Sequence, residues 1–258
     1  MSAIELSYRE IGSGIPVVLL HAFPLSSALF DALGELPGYR LVLPDLRGFG
    51  ASPLGGDEPS LAAMADDVVA LLDRMDLATA VVGGVSMGGY VTMELMRQAP
   101  QRLGGVVLID TKAQADQPAA RDGRLVMARD VLTEGRAVLE PMIHLLLGET
   151  SRSSRPGVVS TVSAWLDDAD PRSVAWAQRA MAARPESFAT LADASLPGAV
   201  VVGEEDSLSP PAQAWAMAER LGTEPHVVPG TGHLAVVEDP SLARSSLVQA
   251  LDTVTAGS

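Results

Sequence analysis

Thr79-Ala80-Val81-Val82-Gly83-Gly84-Val85-Ser86-Met87-Gly88-Gly89-Tyr90-Val91-Thr92-Met93-Glu94-Leu95-Met96 is the stretch on which the fold turns. Ala80 to Val82 suit a strand buried on both faces, and Tyr90, Met93, Glu94 and Met96 recur at helical spacing until Pro100 stops them. Between the two, Gly84-Val85-Ser86-Met87-Gly88 matches Gly-x-Ser-x-Gly, a turn so tight that only small residues fit beside the serine. A strand, a sharp turn and a helix in that order push the hydroxyl outward, where it can act as a nucleophile. A Gly-rich turn on a Rossmann-like strand, with Ser86 merely capping the helix, is the competing reading, and the rest of the chain has to choose between them.

On the N-terminal side, Ile4, Leu6 and Tyr8 alternate with polar residues as in an edge strand, and Gly12-Ser13-Gly14 turns the chain into an antiparallel hairpin. Pro16 to Leu20 is a continuous apolar run, the pattern of a strand buried in a parallel sheet, and it ends at His21-Ala22-Phe23-Pro24. Leu41 to Leu43 repeats the pattern and enters Asp45-Leu46-Arg47-Gly48-Phe49-Gly50-Ala51-Ser52. Met64, Val68, Leu71, Leu72 and Met75 then place one apolar face on a helix from Leu61 to Met75. On the C-terminal side, Gly105 to Ile109 reads as another buried strand, ending at Asp110.

From Thr111 to Ala194 the alternation stops and helical stretches replace it. The chain therefore divides into an α/β core, 1–110 and 195–258, with a helical cap inserted at 111–194. The cap carries apolar residues in number, among them Met127, Leu132, Met142, Ile143, Leu145, Leu146, Trp165, Trp176 and Met181. Of these Met142 and Trp165 are taken as substrate-pocket residues. Strands return at Ala199 to Gly203, followed by the acidic loop Glu204 to Pro210. A helix from Pro210 to Leu221 with Ser209 as its cap comes next, then a short strand at His226 to Val228, the loop Gly230-Thr231-Gly232-His233, and a last helix from Ser241 to Leu251.

A serine hydroxyl needs a base to take its proton and an acid to orient that base. Four histidines are available. His233 lies in a glycine-flanked loop after a late strand and is freest to reach Ser86. His21 belongs to a loop better suited to an oxyanion hole, and His144 and His226 read as packed or surface residues. For the acid, Asp206 follows the strand ending at Gly203 and Asp110 is its competitor. The order Ser86, Asp206, His233 is nucleophile, acid, base. Backbone N–H groups of Met87 and Phe23 are the expected oxyanion donors.

These motifs, from His21-Ala22-Phe23-Pro24 through Gly84-Val85-Ser86-Met87-Gly88-Gly89 to Gly230-Thr231-Gly232-His233, resemble the α/β-hydrolase superfamily over nearly the whole chain. The short cap and the Ser-Met-Gly-Gly elbow look like small bacterial ester and lactone hydrolases, 3-oxoadipate enol-lactonases among them, and like cofactor-free perhydrolases. Three departures stand out: Ala22 where glycine is usual, Val85 where histidine is common, and one strand fewer than the usual eight. The resemblance implies a hydrolase of a small ester or lactone, without cofactor or metal. Serine at 86 argues against the relatives that use aspartate there. Perhydrolysis at the same site, or a slow receptor on the same fold, are the rival expectations.

Composition agrees with this and removes other classes. At 258 residues, 47% hydrophobic and 19% charged, the chain is ordinary globular material. The net charge of −14 and the lack of a basic block argue against nucleic acid. Without cysteine, thiolate catalysis, thiolate metal sites and dithiol chemistry are excluded. Apolar runs such as Val17 to Leu20 and Leu145 to Leu147 fall far short of the roughly 18 residues of a membrane span. Met1 to Glu5 lacks the pattern of a secretory signal, so the expected location is cytoplasmic.

Overall fold

A computed structural model describes residues 3–256, so Met1 and Ser2 of the N-terminal stretch lie outside it. Strands β1 (Tyr8–Gly12), β2 (Ile15–Leu20) and β3 (Tyr39–Pro44) open the chain, and α1 (Leu61–Arg74) follows. β4 (Ala80–Val85), α2 (Met87–Gln98) and β5 (Leu103–Ile109) contain the stretch first quoted. Then come only helices: α3 (Pro118–Glu134), α4 (Ile143–Leu146), α5 (Glu149–Ser154), α6 (Pro156–Asp168), α7 (Pro171–Ala182) and α8 (Phe188–Ala192). β6 (Gly198–Gly203), α9 (Pro211–Leu221), β7 (His226–Val228), α10 (Ala235–Glu238) and α11 (Pro240–Thr255) close it.

The strands form one seven-stranded sheet in the order β1-β3-β2-β4-β5-β6-β7, parallel throughout except for the pairing of β1 with β3. This is the α/β-hydrolase architecture, one strand short at the N-terminal side among the described residues. Val17, Val18, Leu19 and Leu20 of β2 are fully buried, each contributing about 1.5–3 kcal/mol by leaving water. A strand apolar on both faces takes the sheet interior, so β2 lies between β3 and β4. The half-wet β1 is left the edge.

The sequence-based expectation of a β1–β2 hairpin therefore fails: β1 is antiparallel, but its partner is β3. The strand also begins only at Tyr8. Upstream, Ile4 N–H donates to Asp67 Oδ1 (2.8 Å) and Ser7 N–H donates to Ser52 Oγ (2.9 Å), so side chains replace the ladder. Two helix starts also differ from expectation. Pro211, not Pro210, is the first residue of α9, because Pro210 has extended backbone, ψ 153°, and holds the cap position itself. α11 begins at Pro240, capped by Asp239, and runs on to Thr255.

The loop after β3 is fastened to the helical layers by Arg47, which is 1% exposed. Its Nε and Nη2 donate to the two carboxylate oxygens of buried Asp67 on α1 (2.8 and 2.7 Å), and its guanidinium lies 5.8 Å from the ring of Trp176 on α7. The fork geometry explains why an arginine is used there. With that loop fixed, the carboxyl ends of β2, β3, β4, β5 and β6 present their loops at one edge, beneath the helices that follow β5.

Candidate active site

Ser86 has φ 54° and ψ −110°, a left-handed conformation that a residue with a side chain adopts only under constraint. The constraint is close packing on either side. A Cβ on Gly84 would run into the Gly88 backbone, and one on Gly88 would run into the Leu20 carbonyl of β2. Ser86 N–H donates to Ile109 O (2.9 Å) and Thr111 Oγ1 donates to Ser86 O (2.8 Å), which ties the turn to the end of β5. The Ser86 side chain makes no capping bond to α2. The competing picture of a serine that merely caps its helix is thereby set aside.

Ser86 Oγ lies 2.7 Å from His233 Nε2, and His233 Nδ1 lies 2.8 Å from Asp206 Oδ2. In the neutral tautomer that fits both contacts, Nδ1–H donates to the carboxylate and Nε2 accepts from the hydroxyl. The other carboxylate oxygen, Asp206 Oδ1, accepts the N–H groups of Leu208 (2.8 Å) and Ser209 (2.9 Å). Burial alone would raise the Asp206 carboxyl. The His233 charge and hydrogen bond, with the Ser209 and Leu208 N–H groups, outweigh burial and hold it below the usual aspartate range. His233 and Asp206 are 2% and 3% exposed, so little water competes for this line of contacts.

Asp110, the alternative acid, does not meet His233. Its Oδ1 accepts Gly203 N–H (2.8 Å) and its Oδ2 accepts Ala235 N–H (3.1 Å), which clasps the end of β6 to the segment after His233. Full burial, and next the charge of Asp206, push its carboxyl well above the ordinary range. Glu238 is a second clasp that the sequence reading passed over. Its Oε1 accepts the N–H groups on both sides of His233, Gly232 (2.8 Å) and Leu234 (3.2 Å), while Oε2 accepts Gly148 N–H (2.9 Å) from the helical segment. Glu205 adds a parallel tie, accepting Thr150 N–H at 2.9 Å.

His21 lies in the loop after β2. Leu46 N–H donates to its Nε2 (2.9 Å), so the proton sits on Nδ1 and faces Ala22 O (3.0 Å). Burial lowers its pKa from 6.5 to about 4, the direction expected when an imidazole must stay neutral to accept a backbone bond. Phe49 packs edge-on against both His21 and Phe23, at 5.6 and 6.2 Å between centroids, so the shape of the 21–24 loop is set by aromatic contact as well. Met87 is the first residue of α2, and Phe23 lines the same cavity as Ser86. His144 and His226 lie away from the site, His144 beside Arg152 on the helical segment and His226 at the start of β7.

Ser86 and His233 open into a cavity of about 400 Å³, within the range typical of small-molecule sites. Met127, Leu145, Leu146 and Met181 make its apolar wall, and Met142, one of the two expected pocket residues, lines it with them. Trp165 does not. It lines a separate cavity of about 250 Å³ beside Pro24 and Phe49, because α6 turns that face toward the loop after β3. The cations that line the Ser86 cavity are Lys112 and Arg124. One signal in the sequence marked the first of them: Lys112 is the chain's single lysine and follows a strand end by three residues.

The sheet order and the strand–turn–helix at Ser86 define the fold class. The chain belongs to the alpha/beta hydrolase fold family, whose model matches residues 15–240. It is similar to a thermophilic esterase from Thermogutta terrifontis, solved with malate bound, at 37% identity and a TM-score of 0.93, across 97% of this chain and 94% of that one. An enol-lactonase from Burkholderia xenovorans LB400 shares the fold, with a TM-score of 0.86 at 23% identity over 95% and 96% of the two chains. The putative non-heme bromoperoxidase BpoC of Mycobacterium tuberculosis (strain ATCC 25618 / H37Rv) is 25% identical over 98% of this chain and all of its own length, 100%. For other curated relatives, such as the AB hydrolase superfamily protein YisY of Bacillus subtilis (strain 168), the match spans only 36–41% of their length. Among the described residues no helix is long and apolar enough to cross a membrane.

Proposed function

We propose that this protein is a serine hydrolase that cleaves a small carboxylic ester or lactone through an acyl-Ser86 intermediate. The observation that carries the reading is the unbroken line from Ser86 Oγ through His233 to Asp206, at 2.7 and 2.8 Å, opening into a cavity with a largely apolar wall. Ser86 Oγ attacks the carbonyl carbon while His233 Nε2 takes the hydroxyl proton, and Asp206 stabilises the imidazolium so formed. The carbonyl oxygen becomes an oxyanion facing the N–H groups of Met87 and Phe23. Its collapse breaks the bond to the leaving oxygen, which receives the proton from His233. Water, deprotonated by the same imidazole, then releases the acid and restores Ser86. The base contributes about 10²–10⁴ of the acceleration. In this reading residues 111–194 are a cap over the core segments 1–110 and 195–258, and they exclude water from the acyl-enzyme.

Treatment with a serine-directed phosphonate, followed by peptide mass spectrometry, tests the assignment. An adduct on Ser86, lost in Ser86→Ala and slowed in His233→Ala, is the expected result, together with hydrolysis of short esters. An unmodified Ser86 overturns it. A second reading, perhydrolysis, is supported by the full-length similarity to a putative non-heme bromoperoxidase. Hydrogen peroxide would replace water at the acyl-enzyme and leave as a peracid. Peracid-driven bromide oxidation faster than ester hydrolysis, at equal acyl donor, would favour it. The thermophilic esterase named above, at 37% identity, favours hydrolysis.

A further inference from the structure

The wall of the Ser86 cavity that carries Lys112 and Arg124 is out of keeping with the rest of this acidic chain. Lys112 and Arg124 line the cavity with Asp116, and Arg184, outside the lining, binds the same carboxylate. Arg124 Nε donates to Asp116 Oδ2 (2.6 Å) and its Nη1 donates to Gln178 Oε1 (3.1 Å). Arg184 Nη2 donates to Asp116 Oδ1 (3.1 Å), with its guanidinium 4.2 Å from the centroid of the Tyr90 ring. Two buried atoms of Arg184, Nε and Nη1, have no hydrogen-bond partner among the described residues. Asp116 therefore serves two arginines, and Lys112 shares the cavity wall with one of them, Arg124, and with Asp116 itself. Lys112 Nζ donates to Leu208 O (3.1 Å), a neutral carbonyl, and among the described residues no carboxylate pairs with it. Burial, and next the charge of Arg184, hold the ammonium below the usual lysine range.

Buried cations in excess of their carboxylates are costly unless an anion completes the set. Water offsets the charge of Lys112 only in part, because the residue is half-buried. The excess faces the same space into which Ser86 and His233 open. Asp116 and Asp206 offset it only in part, for burial and the charge of Arg184 outweigh them at Lys112, and the Asp206 oxygens are already bonded to His233, Leu208 and Ser209. A carboxylate suits the site better than a larger oxyanion, since most of the cavity wall is apolar and the room beside it takes a short carbon chain. The fit is to a substrate with an ester at one end, a few methylenes along the methionine wall and an acid group at the other.

Resting on the serine-hydrolase reading, we propose that the substrate is a half-ester of a short dicarboxylic acid, whose free carboxylate is held by Lys112 with Arg124 beside it. A charge-assisted hydrogen bond in such a setting is worth roughly ten- to a hundredfold in specificity. The test compares monomethyl glutarate with methyl valerate, which match in acyl length and differ by a carboxylate in place of a methyl group, by methanol release. The ratio of their kcat/KM values is expected to favour the half-ester by at least about tenfold. It should collapse in Lys112→Met, through KM more than kcat, and recover in part in Lys112→Arg. A Lys112→Met protein that loses both substrates in proportion would show that the lysine only braces the acid loop at Leu208, and would overturn the assignment. A second measurement does not depend on turnover: glutarate should raise the Tm of Ser86→Ala, and valerate at equal ionic strength should not. Hydrolysis of both esters without preference, with no glutarate shift, sinks the carboxylate assignment and leaves the hydrolase reading standing. Failure of Ser86 to react with phosphonate, with neither ester cleaved, removes both.

Discussion

Acidification should loosen this protein through one buried imidazole. His21 is 0% exposed and accepts the Leu46 N–H at Nε2, a bond that only the neutral ring can make. Its pKa falls from 6.5 to about 4 because burial penalises the charged form. An unfolded chain binds a proton at His21 below about pH 6.5, while the folded one refuses it until about pH 4. Across that window the unfolded state holds more protons, so stability rises with pH and is lost as pH falls. At 1.36 kcal/mol per pH unit the window is worth roughly 3 kcal/mol, of which roughly 2 kcal/mol is lost between about pH 7 and about pH 5. Urea unfolding of the unmodified protein and of His21→Gln at those two pH values gives the measurement. The variant should be less stable at neutral pH, and its loss on acidification should be smaller by roughly 2 kcal/mol. Equal losses would refute the reasoning. Should the variant fail to fold, an NMR titration of the His21 ring decides alone, and an apparent pKa near 6.5 is the refuting value. Because the folded ring stays neutral until about pH 4, the 21–24 loop should keep its shape across this window and yield only near that pH.

Three further outcomes follow from single contacts. Glu238→Gln turns one of the acceptors around His233 into a donor that meets an N–H. It should cost about 1–3 kcal/mol of stability and lower kcat more than it raises KM; an unchanged kcat would mean that the clasp does not position His233. Arg47→Met strands the buried Asp67 carboxylate and should cost about 3–5 kcal/mol in urea unfolding, with much of it regained in Arg47→Met/Asp67→Leu; a loss below about 1 kcal/mol would place the pair among the weak ones. Gly88→Ala drives a Cβ into the Leu20 carbonyl, where no flexible side chain can yield. It should cost about 1–3 kcal/mol or more and suppress phosphonate labelling of Ser86, whereas normal labelling at normal stability would show that the turn can relax.

Much of this was legible in the letters because it is local. Gly84 and Gly88 around Ser86 require a turn that larger residues cannot make, and the apolar runs of β2, β4 and β5 are long enough for strands and too short for spans. The order of Ser86, Asp206 and His233 along the chain follows from which loops succeed which strands. Where a neighbour in space supplies the deciding atom, the letters ran out. Ile4 to Ser7 alternate like a strand, yet Asp67 and Ser52 take their N–H groups. Ser209 looks like a helix cap, yet the extended backbone of Pro210 takes that position. Trp165 and Met142 are equally apolar, and only the turning of α6 sends the tryptophan to another cavity.

The sequence by itself determined that a serine stands on a strained turn between a buried strand and a helix, with an acid and a histidine on later loops. Burial periodicity and steric limits act within a few residues, so a linear reading captures them. Only the tertiary structure decided which acid faces His233, that Glu238 grips both sides of it, and that the lone lysine shares a cavity wall with Arg124. Those facts join residues tens of positions apart, and their energies depend on distance and on how much water is left between them.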